Sequence, residues 1–356
     1  MGSHHLWYAI SLSSLKIMKK RLFVCAALFG FLCLPTVNAQ GPEPVRIIFD
    51  TDIGNDVDDT LAMGVIHALQ NRAECQLLAV TITKDNQYAA PMVCAVNTFY
   101  KRPNIPVGIV RGGVTPDDGK YLKQVVLMKT EKGGDAFPST ILPGGNVPDA
   151  VTVLRKTLAA EANGAVVVVQ VGFSTNFARL MESGPDAISP LTGLELIRKK
   201  VRLLSIMAGI FGPGYTHVEY NIDCDLPSAK KLIADWPTPI VFSGFEIGDV
   251  IQYPALNIQN DYNYVKQHPL KEAYRFYRGL ENSQPTFDLT SVLYAVRPNH
   301  GYFDLSEPGT VVLDENGRTS FKPDPNGTHR YMKVSAIQIA KVQEALCLLC
   351  SEPPKK

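Results

Sequence analysis

The sequence predicts an α/β protein: an open, mostly parallel central sheet flanked by helices, with C-terminal helices and a small β-hairpin. Three observations predict it. Short apolar runs alternate with stretches of helical spacing along most of the chain. The run Ala165-Val166-Val167-Val168-Val169-Gln170-Val171 is apolar on both faces, as strands are in the middle of a helix-covered parallel sheet. The chain has 356 residues, 46% of them hydrophobic, which is enough to bury one large core.

The elements follow in order. Residues 45–49 form a short apolar run, and 60–69 carry helical spacing through Leu61, Val65 and Leu69. Strand 76–83, helix 91–100 and strand 107–110 continue the alternation. The segment 112–148, rich in Gly, Asp and Pro, then breaks it, and segments of that length at strand ends often serve as lids or binding loops. Helix 149–162, which Asp149 can cap, leads into the valine run. Helix 175–181, strand 201–207, helix 228–235 and strand 240–243 come next. Past Tyr262 the texture is helical, with one helix at 289–296. Segments 310–313 and 319–322, joined through Glu315-Asn316-Gly317, read as a hairpin, and 336–348 as the last helix.

The amino terminus is of another kind. Residues 1–17 precede a natural-looking start at Met18 and read as an upstream extension. Lys19-Lys20-Arg21, an apolar stretch over 22–34, Pro35 and Val37-Asn38-Ala39 form the three-part layout of a secretory signal peptide over 18–39. The stretch is short for a bilayer span. A single domain over 40–356, periplasmic or secreted and free of the membrane after cleavage, is the expectation. The first 39 residues carry four basic and no acidic residues, so the remainder is slightly acidic and has no basic excess to collect phosphates. Nucleic acid is therefore not an expected partner; a small, neutral ligand is. Five cysteines lie beyond residue 39, too few and too unevenly numbered for a disulfide scaffold. Cys347 and Cys350 read as two buried thiols on one helix.

Chemistry concentrates at Asp50-Thr51-Asp52-Ile53-Gly54-Asn55-Asp56-Val57-Asp58-Asp59. Five carboxylates fall within ten residues, directly after a buried strand and before a helix. Ligands of open parallel sheets bind at that end of the strands. Crowded carboxylates repel one another, and a cation or proton uptake must offset the repulsion. All the donors are hard oxygens, which favours calcium or magnesium over zinc. An N-capping role for Asp58 or Asp59 is compatible with this. Glu219 and Asn221, at i and i+2, point to one side if the segment is extended.

The aspartate run resembles the amino-terminal fingerprint of the nucleoside hydrolases, calcium-dependent N-ribohydrolases with a Rossmann-like fold. Three further segments are similar to family motifs in the same order: Gln170-Val171-Gly172-Phe173-Ser174-Thr175-Asn176, then Met207-Ala208-Gly209 with Glu219-Tyr220-Asn221-Ile222, then Phe287-Asp288 before an apolar helix. The resemblance implies calcium held by Asp52, Asp59 and Asp288 with the main-chain carbonyl of Val171. It implies Asp52 as general base toward a water that attacks the anomeric carbon of a ribose. Asp58, Asn86, Met207, Glu219, Asn221 and Asp288 match substrate-contacting positions. Family members are often dimers or tetramers, which makes a homodimer or homotetramer the assembly to expect.

Two departures stand out. The aspartate spacing is two residues longer than the family's, so Asp56 and Asp58 compete for the sugar-contacting position; the reading favours Asp58-Asp59 as the paired carboxylates. Phe287 stands where several members have a His that protonates the departing base, and Phe has no proton to give. His217 and Tyr215, on the loop around Gly212-Pro213-Gly214, are the candidate donors. Two other functions fit part of the pattern. A haloacid-dehalogenase-like phosphatase also opens with a strand and Asp-x-Asp, but leaves Asp58-Asp59 and Glu219-x-Asn221 unexplained. A calcium-stabilised nucleoside- or sugar-binding protein without efficient catalysis is consistent with Phe287.

Overall fold

The computed structural model describes residues 43–355. The upstream extension and the signal peptide lie outside the described residues.

Six parallel strands form the centre of the sheet: β1 (Val45–Thr51), β2 (Cys75–Ile82), β3 (Val107–Ile109), β4 (Val166–Gln170), β5 (Val201–Met207) and β6 (Ile240–Ser243). Their spatial order is β3-β2-β1-β4-β5-β6. The chain thus builds outward from β1 in one direction, returns, and builds outward in the other. The turnaround between β1 and β4 is the switch point where helices on opposite faces leave a crevice at the carboxyl ends. The register sets Asp50 opposite Gln170, and Gln170 opposite Ile206, so the ends of β1, β4 and β5 open together.

The period-2 alternation sorts the valines of β4 between two cores. Val167 and Val169 pack with Ile47 and Phe49 under helices that include Asp58–Asn71, Ala89–Phe99 and Phe287–Val296. Val166 and Val168 pack with Ile48 and Leu204 under Ala150–Ala160, Thr175–Glu182, Gly193–Lys200 and Leu226–Asp235. Each fully buried valine contributes about 1.5–3 kcal/mol relative to exposure. Asp149 caps its helix by accepting from the N–H groups of Val151 and Thr152, as the sequence predicts.

Three differences from the sequence reading have physical reasons. The hairpin, Gly309–Leu313 with Thr319–Pro323, does form, but as the edge of the main sheet. It is joined to β6 through His329–Lys333, a strand whose short mixed-polarity pattern gave no signal. Helix Gly193–Lys200 has no counterpart in the spacing of apolar residues, because its sequence signal is a capping box, Thr192 with Glu195, rather than a long apolar stripe. Neither Asp58 nor Asp59 caps the first helix: Val57 occupies the N-cap position without a side-chain bond, and both aspartates sit in the first turn. There the helix dipole favours their negative charge. All five cysteines among the described residues are free, with Cys350 buried and Cys347 partly so. Among the described residues no helix is long and apolar enough to cross a membrane.

Candidate active site

The carboxyl ends of β1, β4 and β5 open into a cavity of about 430 Å³. Its walls have three characters. Asp52, Asp56 and Asp288 form an acidic side; Val171 and Met207 at the ends of β4 and β5, with Glu219 and Asn221 from the start of the helix Tyr220–Cys224, a mixed side; Tyr220, Phe245, Tyr277 and Phe287 an aromatic side. Asp117, Gly119 and Lys120, from the long segment after β3, complete it. Backbone contact is tight here. A Cβ on Gly172 would lie 2.5 Å from the Asp52 nitrogen, so only glycine lets the turn after β4 lie against the end of β1.

Asp56, Asp58, Asp59 and Asp288 each offer a carboxylate oxygen, and these four oxygens lie within 4.8 Å of one another. Asp58 accepts from the backbone N–H of Asp288 at 3.1 Å, and Asp59 accepts from the Thr51 hydroxyl. Asp58 Oδ1, Asp59 Oδ2 and Asp288 Oδ2 are buried without a hydrogen-bond partner. Burial first, and the neighbouring carboxylates after it, hold Asp58, Asp59 and Asp288 well above the usual carboxylate range. Unpartnered buried carboxylate oxygens are costly, and a hard cation that takes six to eight oxygens is what such a set of donors fits. The cluster therefore suits calcium on the chemistry of its donors.

Asp52 is lifted to about 7 by burial, opposed by the Asn55 carboxamide, which donates to its Oδ2 at 2.6 Å. Glu219 is likewise pushed up to about 7 by burial, opposed by the N–H groups of Asn221, Gly209 and Ile222. The Asn221 carboxamide donates to the Val171 carbonyl at 2.8 Å and to the Met207 carbonyl at 3.3 Å.

Six of the sequence-selected positions thus line the cavity: Asp52, Val171, Met207, Glu219, Asn221 and Asp288. Several details differ. Neither Asp58 nor Asp59 lines the cavity; both are fully buried behind its wall in the carboxylate cluster, Asp58 bonded to Asp288, and Asp56 faces the cavity instead. Asp52 lines the cavity but is not one of the four clustered carboxylates, and the Val171 carbonyl is engaged by Asn221. Glu219 and Asn221 are not in an extended strand. Glu219 is the N-cap of the short helix Tyr220–Cys224, and its side chain takes the free N–H groups of that first turn.

Asn86 does not reach the cavity; its amide donates to the carbonyls of Pro116 and Asp117 and to Asp118. A turn two residues beyond β2 aims it at the neighbouring loop. His217 lies outside the cavity lining, edge-on to Phe245 with ring centroids 4.7 Å apart, and it lines a neighbouring cavity of about 290 Å³. Tyr215 donates its hydroxyl to Asp249 at 2.8 Å. Phe287 stacks on Phe245 at 4.9 Å, which makes this side of the cavity an aromatic wall.

Sequence reading missed Asn55, Lys84, Asp117, Lys120, Tyr220, Phe245 and Tyr277. Only Asn55, inside the acidic run, Tyr220, inside the Glu219-Tyr220-Asn221-Ile222 segment, and the loop bearing Asp117 and Lys120 carried any signal.

Residues 47–344 match the family model of the inosine-uridine preferring nucleoside hydrolases. No curated protein matches the chain in sequence. Among solved structures the chain is similar to a plant nucleoside hydrolase, with 20% identity and a TM-score of 0.63 over 87% of this chain and 100% of that one. It is also similar to a purine-preferring ribonucleoside hydrolase from Gardnerella vaginalis, with 17% identity and a TM-score of 0.63 over 86% and 99%. An inosine-uridine preferring nucleoside hydrolase from Bacillus anthracis aligns with 15% identity and a TM-score of 0.63 over 85% and 99%. At these identities the structures establish the fold, and the match of the family model over most of the chain establishes descent: the chain belongs to the inosine-uridine preferring nucleoside hydrolase family.

Proposed function

We propose that the protein hydrolyses the N-glycosidic bond of ribonucleosides or related ribosides to ribose and free base, with calcium as cofactor, in the periplasm or outside the cell. One observation carries the reading: three buried, unpartnered carboxylate oxygens, on Asp58, Asp59 and Asp288, cluster beside a cavity large enough for a nucleoside. The export part rests on the basic, apolar and small-residue layout of 18–39.

Calcium would be held by Asp59 and Asp288, with Asp52, Asp56, Asp58 and the Val171 carbonyl offering further oxygens, and when bound it supplies a water of lowered pKa. Asp52, on the cavity wall, takes the proton from the attacking water as general base. Glu219 accepts from a ribose hydroxyl with lone pairs not used by its three backbone partners. Asn221, whose amide is committed to two carbonyls, offers its oxygen. Met207 underlies the sugar, and the surrounding carboxylates stabilise the positive charge that develops as the bond breaks. The faces of Phe245, Phe287, Tyr220 and Tyr277 suit a planar base.

Binding without efficient turnover is the second reading, favoured by Phe287, which stacks where a proton donor would serve the leaving group. The phosphatase alternative does not survive the family assignment. Incubation of the protein lacking residues 1–39 with calcium and inosine, uridine or 4-nitrophenyl riboside separates the two that remain. Release of ribose, lost on exhaustive chelation, is expected; retained ligand with no ribose is the outcome of binding alone, and full activity after chelation contradicts the metal reading.

A further inference from the structure

Lys84 is a lysine with no solvent exposure two residues beyond β2. Its ammonium donates to the Asn55 carboxamide oxygen at 2.7 Å and to the Thr115 carbonyl at 2.6 Å, and lies 3.5 Å from the Asp117 carboxylate. Asn55 in turn donates from its nitrogen to Asp52 Oδ2 at 2.6 Å and to the Thr115 hydroxyl at 3.3 Å. An ammonium has no lone pair and only donates, so the amide it touches must present oxygen to it. The nitrogen of Asn55 is then turned toward Asp52. A neutral partner at position 84 would leave both orientations of the carboxamide available, and one of them sets oxygen against the Asp52 carboxylate.

The same cation secures the loop after β3. Thr115 holds a left-handed backbone, φ 50°, which costs a β-branched residue energy and needs surroundings that hold it. Asn86 ties the next three residues through its amide, and the Tyr121 hydroxyl donates to the Asp56 carbonyl at 2.8 Å. A Cβ on Gly119 would lie 2.2 Å from the Gly54 carbonyl oxygen, so the loop lies flat on the aspartate turn. Asp117, Gly119 and Lys120 reach the cavity from that seat.

We propose that Lys84 is a positioning residue for hydrolysis. It acts through Asn55 to orient Asp52, and through Thr115 to hold the loop that carries Asp117 and Lys120 over the substrate cavity. The first half rests on the reading of Asp52 as general base; the second does not.

The test uses the protein lacking residues 1–39 and the variants Lys84→Met, Asn55→Ala and the double variant. Lys84→Met keeps the length of the chain and removes the donors. Trypsin cleavage after Lys120 and Lys123 reads the loop without reference to activity, and is expected to accelerate about tenfold or more in Lys84→Met as the loop opens. With 4-nitrophenyl riboside and calcium, each single variant is expected to lower kcat about tenfold to a hundredfold, the range of small misplacements of a reacting group. The double variant is expected to fall no further than the worse single one, because both changes break one chain of contacts. Independent effects multiply instead, and that result overturns the route through Asn55. Unchanged proteolysis in Lys84→Met overturns the loop tether. If wild type releases no ribose from any riboside, the hydrolase reading fails and so does the route to Asp52, while proteolysis still decides the tether. If Lys84→Met does not fold, Lys84→Gln, which keeps one donor group, replaces it in both arms.

Discussion

The backbone N–H of Asp288 donates to the Asp58 carboxylate at 3.1 Å, across 230 positions of the chain. The bond joins the first turns of two helices, Asp58–Asn71 and Phe287–Val296, which pack against each other beneath the cavity. Each first turn has backbone N–H groups without a helical partner and a dipole that favours negative charge. Two helices that start at one point therefore stabilise an acidic cluster that neither would hold alone. Asp58 serves this junction, which is why it is buried while Asp56 faces the cavity.

Asp59→Asn and Asp288→Asn each remove one charge and one unpartnered oxygen from the cluster. Calcium affinity is expected to fall about 100-fold or more, beyond what loss of an outer contact causes, with ribose release falling in step. Calorimetric titration of the variants checks this; affinity within about threefold of wild type for both refutes the cluster as the metal site.

Metal removal should depend on pH. In the metal-free protein burial raises Asp52 to about 7 and holds Asp58, Asp59 and Asp288 well above the usual carboxylate range. Groups raised in this way favour folding when both states are protonated, and that contribution is lost as pH rises through the folded value. Calcium favours the ionised forms, so its stabilisation should be larger at pH 8 than at pH 5. Saturation at about 100 times Kd contributes about 2.7 kcal/mol. Thermal melts with calcium and with chelator at the two pH values test it; an equal or larger gain at pH 5 is the contrary result.

Phe287 has no proton to give, and neither His217 nor Tyr215 lines the cavity. A leaving group that departs as a stable anion needs little protonation. 4-Nitrophenyl riboside should therefore be cleaved at least about 100-fold faster than inosine, the lower range of what general acid catalysis contributes. Phe287→His should narrow the gap by raising the inosine rate. Comparable rates on the two substrates in wild type would show that an acid is present after all.

Gly172→Ala adds a methyl group 2.5 Å from the Asp52 nitrogen and 2.6 Å from the Thr83 hydroxyl oxygen. Neither neighbour can retreat far: Asp52 follows β1 directly, and Thr83 donates back to the Thr51 carbonyl. A loss of about 1–3 kcal/mol of stability is expected, with kcat falling more than the stability loss explains because Asp52 moves. Denaturant unfolding and kinetics on one preparation check both, and a variant indistinguishable from wild type would mean that the two turns are not packed as described.

Much of the fold was legible because its signals are local. Strands 201–207 and 240–243 stand in the structure where the sequence places them, since each is a short, largely apolar run that stops at or just before a glycine, Gly209 or Gly244, and such a run has few other options. The two-residue strands and the short helices past β6 were not, because their apolar residues follow no period and their stability comes from what they pack on. Lys84 shows the same limit within the site. A lysine two residues past an apolar strand reads as a solvated end, and only a loop arriving from about thirty positions away makes it a buried donor.

The sequence by itself determined the alternation of strand and helix, the acidic run after β1 and the order of the motifs, because each is written in neighbouring residues. The tertiary structure alone decided which carboxylates cluster, which one faces the cavity, and where Asn86 and His217 point. Those outcomes depend on distances between segments far apart in the chain, where burial and the direction of a hydrogen bond select among residues that look alike in sequence.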